Sequence, residues 1–301
     1  MKNYFYIIIF LISFSSCKWN VEQNLNKKNI VCTTTIVGDM VNQLLDSSYD
    51  VKVLMGAGVD PHMYEPKPSD VRALGDASVI IMNGLHLEGK MADLFNRLKK
   101  EKAVISFSDG INKSNLIQLN SHSYDPHIWF DVQIWLDGLR HCKNQLIILY
   151  PSDSIQINNR FDLLSNKMLY LDKKIKVELN QLNENQRILI TSHDAFHYFG
   201  KAYGIKVKAV QGVSTVTEPG LKNVSNLIDE IVIKKIPAIF VESSVSSKSI
   251  EAVIEGCKEQ NHTLKIGGTL YSDALGGKNS HAATYLEMIE KNVSTFKNSM
   301  K

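Results

Sequence analysis

Three histidines and one aspartate in this chain sit where a metal ion could use them. His62 lies in Gly58-Val59-Asp60-Pro61-His62-Met63-Tyr64-Glu65-Pro66, and His127 in Tyr124-Asp125-Pro126-His127-Ile128-Trp129-Phe130-Asp131. Each imidazole comes directly after Asp-Pro. Proline fixes its own φ and pushes the residue before it into an extended conformation, so a histidine that follows this stiff dipeptide loses little freedom when held in one direction. That suits a metal ligand. One Asp-Pro-His also describes a turn with a surface histidine, but two copies in the same local frame point to a common task. His193, in Thr191-Ser192-His193-Asp194-Ala195-Phe196, and Asp273, in Gly267-Gly268-Thr269-Leu270-Tyr271-Ser272-Asp273, follow β-like runs. Open parallel sheets bind ligands at the carboxyl ends of their strands. Two ligands from each half of the chain meet if the carboxyl edges of two sheets face each other. Three nitrogens and a carboxylate suit zinc or manganese far better than calcium or magnesium, which want mostly oxygen.

The remaining candidates rank below these four. His197 stands four residues after His193, a helical spacing that can bind zinc, but Asp194 replaces the glutamate that a metalloprotease helix carries beside its first histidine. His86, in Asn83-Gly84-Leu85-His86-Leu87-Glu88, reads as a group supporting the ligands from behind or as a surface histidine. Glu65 and Glu242, the latter in Phe240-Val241-Glu242-Ser243-Ser244, are candidate acceptors for the ligands' ring N–H groups, with capping or surface roles as the plain alternative. His122, His141, His262 and His281 read as loop or helix-face residues.

The elements that must position these residues alternate. Strands are expected at Val31–Ile36, Val51–Met55, Ser78–Met82 and Ala103–Phe107, with helices between them at Val37–Leu45, Pro68–Leu74 and Met91–Leu98. A helix over Trp129–Leu149 follows. From Ser154 to Asn183 there is no glycine or proline, and Phe161, Leu164, Met168, Leu171, Ile175, Leu179 and Leu182 recur at gaps of three and four. That predicts one amphipathic helix of about 30 residues, roughly 45 Å long. The alternation then resumes, with strands at Arg187–Thr191, Lys206–Val210, Pro237–Val241 and Thr263–Gly267. Helices are expected at Asp194–Tyr203, Leu221–Lys235, Ser249–Gln260 and Ala282–Phe296. The expected fold is α/β: two lobes, each a parallel sheet flanked by helices, over residues 30–152 and 186–301, joined by a rigid helix within 153–185.

With 44% hydrophobic and 22% charged residues the chain is globular, and a net charge of +3 spread over 301 residues leaves no nucleic-acid footprint. Residues 1–17 are a separate device. Lys2 precedes an apolar run, Tyr4–Phe14, too short to span a bilayer, and Ser15-Ser16 lead into Cys17. This resembles a lipoprotein signal in which Cys17 becomes the lipid-bearing first residue, although Phe14 replaces the usual Leu or Val three positions before it. An ordinary signal peptide is the alternative. Residues 18–29 read as a flexible tether. Cys32, Cys142 and Cys257 lie far apart and read as buried apolar residues, not as a disulfide framework.

Taken in order, Asp-Pro-His-Met-Tyr-Glu-Pro-Lys-Pro-Ser-Asp, Asp-Pro-His-Ile-Trp-Phe-Asp, Ser-His-Asp-Ala-Phe, Phe-Val-Glu-Ser-Ser and Gly-Thr-Leu-Tyr-Ser-Asp resemble the zinc/manganese solute-binding proteins of ABC importers, the TroA-like receptors, from about residue 30 to the end. The resemblance implies a lipid-anchored extracytoplasmic monomer. It would hold one Zn²⁺ or Mn²⁺ as cargo on His62, His127, His193 and Asp273, between lobes linked by a long helix, and deliver it to a membrane permease. Some members have glutamate at the position of His193. Many zinc-specific members carry a His-rich loop before the second Asp-Pro-His, where this chain has only His122. Two other readings compete. A metallohydrolase can use three histidines and an aspartate, but it needs an open metal position and a nearby base. A surface adhesin is compatible with the anchor, though no residue argues for it.

Overall fold

Lys28–Cys32 forms the first strand (β1) of a computed structural model that describes residues 28–300. The first lobe continues through α1 (Thr35–Leu44), β2 (Tyr49–Val53), α2 (Pro68–Asp76), β3 (Val79–Met82), α3 (Ala92–Leu98) and β4 (Ala103–Ser106). A small antiparallel pair, β5 (Gln118–Asn120) and β6 (Ser123–Tyr124), precedes α4 (Val132–Leu149). The four main strands make one parallel sheet in the order β2-β1-β3-β4. Side chains alternate across it, as the pleat requires. Ile30, Cys32, Val79 and Ile81 face the main core, while Val31 and Ile80 face the outer helices α2 and α3 with Leu74 and Phe95.

The second lobe repeats the plan with β7 (Ile188–His193), α6 (His197–Tyr203), β8 (Lys206–Gln211), α7 (Leu221–Lys234), β9 (Ala238–Glu242), α8 (Lys248–Glu259), β10 (Lys265–Leu270) and α9 (Tyr285–Ser299), following the linking helix α5 (Ser154–Leu179). Its strands pair in parallel as β7 with β8 and β9 with β10, and β7 runs beside β9. The outer helices α7 and α8 cover Ile190, Val210 and Ile239 with Leu227, Ile231 and Val253. The inner faces of both lobes belong to one core. Trp135 and Leu139 of α4, Leu164, Met168 and Leu171 of α5, and Tyr285, Met288 and Phe296 of α9 form a single buried cluster.

The linking helix has 26 residues, about 39 Å at the standard rise, and ends at Leu179 rather than Asn183. Its buried Asp172 ties the halves together, accepting from Gln133 of α4 at 2.8 Å and from Tyr203 of α6 at 3.1 Å. Other boundaries move for local reasons. The first strand stops at Cys32 because the Thr34 hydroxyl accepts from Val37 N and starts α1. Trp129 and Phe130 lie in a short 3₁₀ turn, and Asp131 caps α4. The helix expected from Asp194 begins at His197, and Asp194 N donates to Gly212 O at 3.3 Å.

Of the tether expected over residues 18–29, residues 18–27 lie outside the described residues, and the last two belong to β1. Lys28 and Asn29 already pair with Tyr49 and Asp50 in the parallel ladder, and Lys28 Nζ bridges to Asp153. Cys17 lies outside the described residues. Cys32, Cys142 and Cys257 are buried thiols. Among the described residues, no helix is long and apolar enough to cross a membrane.

Candidate metal centre

The two sheets present their carboxyl ends to each other, and His62, His127, His193 and Asp273 meet there. One potential ligand atom from each lies within 4.8 Å of all the others. His193 is the last residue of β7, and Asp273 comes three residues after β10. His62 and His127 come from the two Asp-Pro-His loops. In both loops the aspartate carboxylate accepts the histidine backbone N–H, at 2.8 Å for Asp60 and 2.9 Å for Asp125. The proline between them fixes the turn, which explains why the motif orients its imidazole.

The Nε2 atoms of His62 and His193 each lie 3.3 Å from His127 Nε2. Asp273 places Oδ1 3.5 Å from His127 Nε2 and Oδ2 3.4 Å from His193 Nε2. A tetrahedral ion with ligands at about 2.0–2.1 Å has ligand–ligand edges of about 3.3–3.4 Å. The edges that His127 makes with His62, His193 and Asp273, and the His193–Asp273 edge, are close to that size. It is also enclosed, with relative exposures of 5% for His62, 0% for His127 and His193, and 1% for Asp273.

Buried carboxylates fix the other face of two rings. His127 Nδ1 lies 2.7 Å from Asp125 Oδ1, and His193 Nδ1 lies 2.6 Å from Glu242 Oε2, while Glu242 Oε1 also accepts from His193 N at 2.9 Å. Each carboxylate accepts a hydrogen bond from Nδ1–H and leaves the Nε2 lone pair facing the centre. Burial lowers the pKa of His62 to about 3, with the neighbouring His127 and His193 adding to the effect and Asp273 opposing it, so this ring is held neutral. For His127 and His193 burial works the same way, but Asp125, Glu242 and Asp273 outweigh it and raise both. Burial would raise Asp273, yet the facing His193 and His127 pull it well below the carboxylate range. Neither Asp273 oxygen accepts a hydrogen bond.

The other candidates separate clearly. Glu242 holds His193, as described. Glu65 is away from the cluster: its side chain is exposed and pairs with Lys90 Nζ at 2.8 Å. His86 is exposed in a left-handed backbone turn, φ 62°, beside a cavity of about 350 Å³ that also touches His122. Of the two roles that the sequence left open for each, both residues take the surface one, because position near a motif does not decide which way a loop side chain turns. His197 does not join the ligand set; it bonds Asp125 Oδ2 at 3.1 Å and Asp194 Oδ1 at 3.0 Å.

Sequence reasoning missed Asp125 itself, the partner of both His127 and His197. It also missed the buried Glu88, whose Oε1 accepts from Thr33 Oγ1 at 2.7 Å and Asn83 N at 3.0 Å. Asn83 in turn donates to Pro126 O at 2.9 Å and so supports the His127 loop. A usable clue to Asp125 was present: an aspartate two residues before a ligand histidine is already in reach of its backbone N–H.

Two α/β lobes braced by one helix, with a buried three-histidine, one-aspartate cluster between them, define a two-lobed binding protein. The family model described as "Zinc-uptake complex component A periplasmic" matches residues 30–299, and the chain belongs to that family. It is 39% identical over 273 residues to the manganese-binding lipoprotein MntA of Bacillus subtilis (strain 168), covering 90% of this chain and 89% of that one. It is 36% identical over 269 residues to the zinc-binding protein TroA of Treponema pallidum (strain Nichols), covering 89% and 87%. The solved structure of the periplasmic zinc-binding protein TroA from Treponema pallidum superposes with a TM-score of 0.89 at 36% identity, covering 91% of this chain and 99% of that one.

Proposed function

We propose that this chain is an extracytoplasmic receptor that binds one Zn²⁺ or Mn²⁺ between its lobes, on His62, His127, His193 and Asp273, and delivers it to the permease of an ABC importer. Asp273 carries the reading. A buried carboxylate with both oxygens free of hydrogen bonds is costly unless a cation faces it, and three imidazole Nε2 atoms share the space it faces. One chain supplies all four ligands, so the site is complete in a monomer. Enclosure favours carriage over hydrolysis, because a catalytic metal keeps a position open for water and substrate. Anchoring through a lipid on Cys17 belongs to the same reading and draws on the signal-like residues before it and on the lipoprotein relatives.

The test is a titration of chelator-stripped protein with Zn²⁺ and Mn²⁺ at controlled free concentration. The expected outcome is one equivalent bound, with zinc tighter than manganese because the site is nitrogen-rich and the intrinsic affinity order favours zinc. Asp273→Ala should lose this binding while remaining folded. Stoichiometric binding that survives Asp273→Ala would refute the site. Manganese binding tighter than zinc would mean that geometry outweighs ligand type.

A further inference from the structure

The four residues of the cluster are not held alike. His127, His193 and Asp273 sit in a frame that crosses the lobe boundary through buried bonds. Tyr198 Oη donates to Asp125 O at 3.0 Å, Trp129 Nε1 donates to Ser272 O at 2.9 Å, and Tyr285 Oη donates to Trp129 O at 2.9 Å. His193 is fixed to Glu242 through both its backbone and its ring. The frame is therefore part of the shared core.

His62 is different. Its segment is bonded mostly within its own lobe: Val59 N to Gly56 O, His62 N to Asp60, Tyr64 Oη to Asp70, and Glu65 to Lys90. Among the described residues, one hydrogen bond joins this loop to the second lobe. Thr215 Oγ1, in the loop after β8, donates to Asp60 Oδ2 at 2.6 Å. Asp60 thus uses Oδ1 to set the His62 turn and Oδ2 to reach across the mouth. Gly58, at φ +71°, seats the same loop closely on the Ser243 carbonyl; a Cβ there would lie 3.4 Å from that oxygen. His62 is also the most exposed of the four, as expected for the one nearest solvent.

We propose that the Thr215–Asp60 hydrogen bond is a clasp that keeps the His62 loop closed on a preformed three-ligand frame and sets the rate at which metal leaves. Thr215 is then a positioning residue for retention: it touches no ligand atom and acts through Asp60. The clasp joins segments 155 residues apart, and neither of its residues lies in the buried core, so it can part without disturbing the frame. This inference rests on the metal-receptor reading above.

The experiment uses Zn²⁺-loaded wild-type, Thr215→Val and Thr215→Ser proteins, each chased with excess chelator in a stopped-flow instrument, after Zn²⁺ titration of all three. Valine keeps the shape and removes the hydroxyl, whereas serine keeps the donor. Losing one hydrogen bond to a charged acceptor corresponds to about a tenfold change in an equilibrium or rate. Thr215→Val should therefore release zinc about tenfold faster with one equivalent still bound, and Thr215→Ser should restore slow release. Release from Thr215→Val at the wild-type rate would overturn the clasp, as would equally fast release from Thr215→Ser. Failure of wild-type protein to bind zinc would overturn the receptor reading instead, and the titration identifies that case separately.

Discussion

At the scale of single residues, orientation is the decisive property. Two of the three imidazoles present Nε2 because a buried carboxylate occupies Nδ1. Such acceptors fix ring and tautomer together and raise ligand basicity, and removing one typically costs 10–100-fold in metal affinity. Glu242→Gln keeps the shape and an acceptor oxygen but loses the charge, so zinc affinity should fall by about 10–100-fold. Glu65→Gln, at an exposed ion pair with Lys90, should leave affinity unchanged. Competition titrations of both variants compare the two carboxylates directly. Equal effects from the pair would mean that Glu242 has no special hold on the site.

At the scale of elements, short helix α6 secures the second Asp-Pro-His loop through His197. Hydrogen bonds to Asp125, the first cause, and Asp194 raise the His197 pKa to about 10, although the ring is partly exposed. The unfolded value is about 6.5. A group whose pKa is raised by folding stabilises the fold fully below its unfolded value and loses that contribution as pH rises through the folded value. His197→Gln should therefore lower the melting temperature of metal-free protein most at about pH 6, with a penalty that shrinks toward pH 10. Thermal melts at those two pH values check it. A penalty of the same size at both would mean that packing, not charge, accounts for His197.

For the whole molecule, the two lobes meet at the histidine–aspartate cluster at one edge and are fused by a common core behind it. The buried cluster from α4 through α5 to α9 leaves neither lobe with a separate hydrophobic centre on that side. Unfolding should then be a single cooperative transition. Binding to the native state alone adds about 4 kcal/mol when free metal is a thousand times its dissociation constant. Stripping with EDTA should lower the melting temperature, and reloading with Zn²⁺ should restore it. Differential scanning calorimetry tests both points: two separated transitions would argue against a shared core, and an unchanged midpoint on stripping would argue against a site between the lobes.

Much of this was already determined by the sequence. Asp-Pro-His recurs at His62 and His127, His193 and Asp273 follow strand-like runs, and a long stretch free of glycine and proline predicts the linking helix. These features are local: backbone stiffness after proline, alternation of strand and helix, and a helical repeat of apolar residues all act within a few positions. The tertiary structure alone decided which carboxylate serves which ring. Glu65 lies three residues from His62 yet turns to Lys90, whereas Glu242 reaches His193 from another strand, 49 positions away. It also decided that Asp125 holds both His127 and His197, that Thr215 reaches Asp60, and that the inner faces of both lobes fuse into one core. Such contacts depend on where strands end in space and how two sheets face each other, and spacing along a single chain carries no record of that distance.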